Sequence, residues 1–226
     1  MFIISGMGKG GTSIVSCMLR ENPHIDLMFE NSDVCRTPKE KYQDIENDNL
    51  LKGIVTADKI LFGSLFLKPQ YIERLVRWYH RTKFLFIYKD GRDMIAGLEP
   101  MESSSILSMV MGWNDYVNKS QKFIKNNPGI CMTIKYTDFV LDPEHTLDNI
   151  CQFINVPYSS EMFNFTMEVP EYRKKYGNKI DLSRIFLWKK LMRDKPKHRF
   201  MILLRSAEKN MMKNLIKLGY EKGGGK

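Results

Sequence analysis

A short apolar run, "FIIS" at residues 2–5, leads directly into "GMGKGGTSI" at residues 6–14. No other stretch restricts the fold of this chain as strongly. An apolar run of that length entering glycines reads as a buried strand. Behind the glycines, Ile14, Val15, Cys17, Met18 and Leu19 recur at helical spacing, closed by "ENP", so residues 12–21 read as a helix packed on a sheet. A strand, a glycine turn and a helix in that order aim the first backbone N–H groups of the helix at one spot. The helix dipole favours an anion there. Thr12 and Ser13 add hydroxyl donors, and Lys9 reaches the same spot from the flank of the loop. Gly8, Lys9, Gly10, Gly11, Thr12 and Ser13 are therefore the expected phosphate-binding residues.

A loop serving a magnesium nucleotide reads GxxxxGK[ST], with the lysine after the last glycine and the next hydroxyl on the metal. Here Gly6 and Gly11 keep the separation, but Thr12 stands in the lysine's place and the lysine is Lys9. No carboxylate partner for magnesium is marked, and no metal is expected. The pattern argues against a standard triphosphatase. A kinase-like ATP-dependent enzyme stays as one alternative, and a non-catalytic protein binding nucleotide or nucleic acid as another.

The rest of the chain alternates strand and helix. Residues 24–29 and 83–88 ("KFLFIY") read as strands, and residues 130–136 ("ICMTIKY") as another. A helix opens at Pro69. A long amphipathic helix covers 103–126, and 142–154 form a helix with a capping signal at its start. Residues 31–58 are polar and weakly patterned, which predicts a surface or lid segment. The C-terminal third reads as helical and basic. This alternation predicts an α/β fold: one domain over 1–226, three layers deep, with a central parallel sheet and residues 220–226 as a flexible tail. In such sheets ligands sit at the carboxyl ends of the strands. The loops after residues 2–5 and 83–88 are the places to look.

Composition adds bounds. No apolar run approaches the ~20 residues of a membrane span, and "MFIIS" lacks the basic leader of a signal peptide. The chain is expected to be cytoplasmic. Its four cysteines, Cys17, Cys35, Cys131 and Cys151, form no CxxC pair or Cys/His cluster, which argues against zinc. The net charge of +9 suits an anionic ligand. The basic residues are scattered, which argues against nucleic acid as the partner.

"GMGKGGTSIV" resembles the 5′-phosphosulfate loop of sulfotransferases that use 3′-phosphoadenosine 5′-phosphosulfate (PAPS), roughly G-x-[PG]-[KR]-[SG]-G-[TS]-[TS]. "YKDGRDMIAGL" is similar to the same family's 3′-phosphate motif R-[DN]-P-[RK]-D-x-x-x-S, with Lys89 at its arginine and Gly97 at its serine. Lysine keeps the charge and loses the bidentate fork. Arg92 is either a substitute cation or a salt-bridge partner of Asp90 or Asp93. Lys68-Pro69 resembles the family's K-[ST]-P step, Trp113 falls where the family often has Trp, and "IKYTDFVLDPEHTLDNICQFINVP" is similar to a family stretch over its whole length. The resemblance covers most of residues 2–158.

The resemblance implies sulfuryl transfer from PAPS to a hydroxyl or amine. The expected products are the sulfated acceptor and 3′-phosphoadenosine 5′-phosphate (PAP). Lys9 is expected to stabilise the leaving phosphate, and Tyr136 to lie by the adenine, in a stacking or edge contact or as a core tyrosine. A base must take the acceptor's proton. Glu30, which follows the second strand, is the favoured candidate, with Asp33 and His24 behind it. The sequence does not single out the acceptor: a carbohydrate hydroxyl, a tyrosine side chain and a small alcohol or lipid all stay open.

Overall fold

The computed structural model describes residues 1–29, 49, 52–60, 82–97, 103–165, 179–194 and 199–222. Five parallel strands form one sheet: β1 (Phe2–Gly6), β2 (Ile25–Phe29), β3 (Val55–Lys59), β4 (Lys83–Tyr88) and β5 (Cys131–Lys135), in the order β2-β3-β1-β4-β5. The helices are α1 (Thr12–Arg20), α2 (Gly91–Ala96), α3 (Ser103–Asn126), α4 (Tyr136–Leu141), α5 (Pro143–Ile154), α6 (Leu187–Asp194) and α7 (Arg199–Lys217).

Strand side chains alternate between faces, and the two cores follow that alternation. Ile3, Phe84, Phe86 and Tyr88 pack with Trp113, Tyr116 and Val117 of α3 and Met211 and Leu215 of α7. Phe2, Ile4, Leu85 and Ile87 pack with Val15 and Met18 of α1, Phe139 of α4 and Leu147 and Ile150 of α5. The central strands are apolar on both sides because helices cover both faces, as parallel sheets require. The expected three-layer α/β architecture is the one observed. Cys17 and Cys151 are buried free thiols.

The reading of residues 31–58 as a lid needs correction. Residues 55–59 form β3, which lies inside the sheet between β2 and β1. Its sequence, "VTADK", hides the strand because its polar residues are themselves buried: Thr56 is 1% exposed and Asp58 0%. Buried polar groups need partners. Asn49 helps supply them, its amide donating to Thr56 Oγ1 at 3.0 Å and Asp26 Oδ2 at 2.8 Å. The helix expected from Pro69, with Lys68 before it, lies outside the described residues.

Two boundaries also shift. Tyr136 opens α4 rather than ending β5. Residues 220 and 221, read as part of the tail, are tied to the core: Tyr220 Oη donates to the Tyr88 carbonyl at 2.9 Å, and the Glu221 carboxylate pairs with Arg92. Among the described residues no helix is long and apolar enough to cross a membrane.

Candidate active site

The loop between β1 and α1 is built by tight backbone geometry. Gly10 N–H closes a turn onto the Met7 carbonyl at 2.9 Å. Lys9 (φ 68°) and Gly11 (φ 90°) both take the left-handed conformation, which is costly for a lysine and free for a glycine. Gly11 is the N-cap of α1 and brings no side-chain cap, so the first N–H groups of the helix are left for a ligand. Lys9 is exposed and Thr12 buried. These are all donors, which makes the loop an anion cradle by its chemistry.

A second lysine completes the cradle. Lys59, the last residue of β3, is only 4% exposed and donates from Nζ to the Ser13 hydroxyl at 3.2 Å. Parallel pairing puts the ends of β1 and β3 side by side, with Ile4 opposite Lys59. Sequence reasoning missed this residue because the strand that carries it went unread. The available signal was a lysine closing the run "IVTADK".

The loop after β4 meets the first loop through Tyr136. A Cβ on Gly11 would lie 2.1 Å from Cδ2 of the Tyr136 ring, so glycine is required there by space as well as by φ. Lys89 Nζ sits 4.8 Å from the centroid of the same ring, a cation–π distance. The structure thus brings Gly11, Tyr136 and Lys89 together. Tyr136 is 5% exposed, and burial pushes its hydroxyl up to about 12. Lys89 is 8% exposed, its ammonium is pushed down to about 8 by burial, and its carbonyl accepts from Trp113 Nε1 at 3.0 Å.

Gly97, at the motif's serine, is the exposed C-cap of α2 with φ −72°. Among the described residues a Cβ there would meet the Asp93 and Met94 carbonyls, at 3.4 and 3.5 Å, and none of those residues demands glycine at this position. Gly91 is different: a Cβ would come within 3.0 Å of Trp113 and 2.6 Å of Met211 Sδ.

Of the two readings of Arg92, the structure takes the ion pair. Its guanidinium is held by Asp90 (Nη2 to Oδ2, 2.7 Å) and Glu208 (2.9 Å), besides Glu221, and lies 3.9 Å from the Trp188 ring. A side chain 1% exposed and so fully partnered has no donors to spare for a phosphate. Glu30 and Asp33 lie outside the described residues. His24 precedes β2, at the strand end opposite the two loops. Among the described residues no His, Cys, Asp and Glu cluster suits a metal.

The fold recurs in solved proteins. The chain has the sulfotransferase fold. It superposes on the sulfotransferase domain of the curacin biosynthetic pathway with a TM-score of 0.61, at 15% identity, covering 98% of each chain. A mouse sulfotransferase solved in complex with PAP matches with a TM-score of 0.51 at 17% identity, over 97% of this chain and 87% of that one. No family model matches. In sequence, the chain is similar to a Caenorhabditis briggsae protein named "Putative protein-tyrosine sulfotransferase", 23% identical over 120 residues. That match takes in 50% of this chain and only 40% of the relative's length.

Proposed function

We propose that this chain is a PAPS-dependent sulfotransferase. The observation that carries the reading is the convergence of the glycine loop, Lys59 at Ser13, and Lys89 across Tyr136 from Gly11. Two cationic subsites joined by one aromatic ring suit a ligand with two separated phosphates. The donor set fits: N–H groups at the start of α1, the Thr12 and Ser13 hydroxyls and the Lys9 ammonium would hold the 5′-phosphosulfate end, and Lys89 the 3′-phosphate.

PAPS supplies an activated sulfuryl group with a phosphate as leaving group. Transfer needs in-line placement and stabilisation of charge on that phosphate. Lys9 from within the loop and Lys59 from the end of β3, at Ser13, bring positive charge to it. The leaving oxygen keeps the electron pair of the broken S–O bond, and the acceptor oxygen forms the new one. Glu30 takes the acceptor's proton. It directly follows Phe29, whose strand partner is Lys59, so in the chain it stands next to the carboxyl end of the sheet.

The acceptor is a hydroxyl. The name of the nematode relative makes a tyrosine side chain the first class to test, with carbohydrates and small alcohols as the others. The test uses labelled PAPS with tyrosine-bearing peptides, oligosaccharides and simple alcohols. Label is expected to pass to one class and to stop passing in Lys9→Ala, while the variant keeps its unfolding temperature. Transfer unchanged in Lys9→Ala would overturn the role of the loop.

A further inference from the structure

Helix α7 is followed by "LGY", residues 218–220. Gly219 takes a φ of 69°. Its N–H donates to the Ile216 carbonyl at 2.9 Å, and the Tyr220 N–H to the Leu215 carbonyl at 2.8 Å. That pair of bonds is a Schellman cap, which turns the chain sharply and sets the direction of the residue after the glycine. Tyr220 is thereby laid across the ends of β4 and β5. Its hydroxyl donates to the Tyr88 carbonyl at 2.9 Å. The Lys135 ammonium lies 5.5 Å from its ring centroid and donates to the Gly219 carbonyl at 3.4 Å. Tyr88 and Lys135 are the last residues of their strands and partners in register. The turn is anchored again beyond Lys89, where Arg92 donates to the Tyr220 carbonyl at 3.3 Å and pairs with Glu221.

We propose that Tyr220 is a positioning residue of the Lys89 subsite: it holds the peptide group before Lys89 and so aims the ammonium at the 3′-phosphate. The proposal rests on the PAPS reading above. A peptide group is planar, so the bond from Tyr220 to the Tyr88 carbonyl fixes the plane on the amino side of Lys89. The Lys89 carbonyl accepts from Trp113 Nε1 at 3.0 Å, which fixes the plane on the other side. With both planes held, the two backbone dihedrals of Lys89 are confined, and with them the direction in which its side chain leaves the backbone. A lysine stem carries much rotamer entropy. Fixing its root, with its head 4.8 Å from the Tyr136 ring centroid, limits where the charge can go.

The experiment is calorimetric titration of PAP and of adenosine 5′-phosphate, which lacks the 3′-phosphate, into wild type, Tyr220→Phe, Lys89→Ala and the double variant. Tyr220→Phe keeps the ring and removes the hydroxyl. Its PAP affinity is expected to fall about two- to tenfold, the reach of one neutral hydrogen bond. Adenosine 5′-phosphate binding is expected to stay as in wild type. If Tyr220 acts through Lys89, adding Tyr220→Phe to Lys89→Ala costs no further PAP affinity.

Glu221→Ala, which frees the other anchor of the turn, is expected to give the same pattern, and it serves if the phenylalanine variant does not fold. PAP affinity unchanged in Tyr220→Phe would overturn the proposal. So would a loss shared by both nucleotides, or one that persists in full beside Lys89→Ala, since either makes Tyr220 a general support of the fold; the PAPS reading would stand in each case. Wild-type protein that binds PAP no better than adenosine 5′-phosphate would overturn both.

Discussion

The ammonium of Lys59 lies 3.2 Å from the hydroxyl of Ser13, joining the end of β3 to the first turn of α1. A lysine 4% exposed is expensive to desolvate. Its bond to Ser13 sets that charge at the loop where an anion would bind. Lys59→Met preserves the aliphatic stem and removes the charge. Turnover with PAPS is expected to fall about 10²-fold, the usual loss for one charge-stabilising donor. A drop in unfolding temperature with turnover per folded molecule unchanged would make Lys59 a structural residue only.

Gly11 carries two constraints at once, its φ of 90° and the Tyr136 ring. Gly11→Ala is expected to destabilise the fold by ~2–4 kcal/mol, combining backbone strain with overpacking. Tyr136→Ala in the same chain removes the atoms the new methyl meets and should recover part of that loss relative to the sum of the two single changes. Additive losses in a denaturant-based double-mutant cycle would show that the ring and the glycine are not coupled.

Much of this was legible in the sequence, and what was not has a physical cause. Strand β1, the glycine loop and α1 could be read because their residues follow local rules: apolar run, turn glycines, helical stripe. β4 could be read for the same reason. β3 could not, since Thr56 and Asp58 look solvated and are in fact buried, Thr56 with its partner Asn49 in the segment before the strand. Lys59 was lost with its strand. Arg92 had two readings because its partners Glu208 and Glu221 stand more than a hundred residues away. The tie between Tyr220 and Tyr88 has no local signature either.

Gly97 offers a gain-of-function test. Its position accepts a Cβ at ordinary contact distances and its φ is −72°. Gly97→Ser restores the hydroxyl of the sulfotransferase motif. PAP affinity is expected to rise about ten- to a hundredfold, the worth of one hydrogen bond to a charged group, with the unfolding temperature unchanged. Equal affinity for PAP before and after the change would place the 3′-phosphate away from this turn.

Glu30 is assigned by its place in the chain after β2. Glu30→Gln keeps size and hydrogen bonding and removes the basic carboxylate. We expect kcat to fall about 10²–10⁴-fold with PAP affinity nearly unchanged, as for loss of a general base. Retained turnover in Glu30→Gln, with loss in Asp33→Asn or His24→Ala instead, would move the base to one of those residues.

The most direct measurement of the central claim compares PAP, adenosine 5′-phosphate and magnesium–ATP as stabilisers of the wild-type chain against thermal unfolding. Stabilisation grows as RT ln(1 + [L]/Kd), so at equal concentration the tightest ligand gives the largest shift. A chain with one cradle at Gly8–Ser13 and a second cation at Lys89 is predicted to rise most with PAP, less with adenosine 5′-phosphate, and to lose the difference between those two in Lys89→Ala. A larger shift with magnesium–ATP than with PAP, or equal shifts with and without the 3′-phosphate, would contradict it.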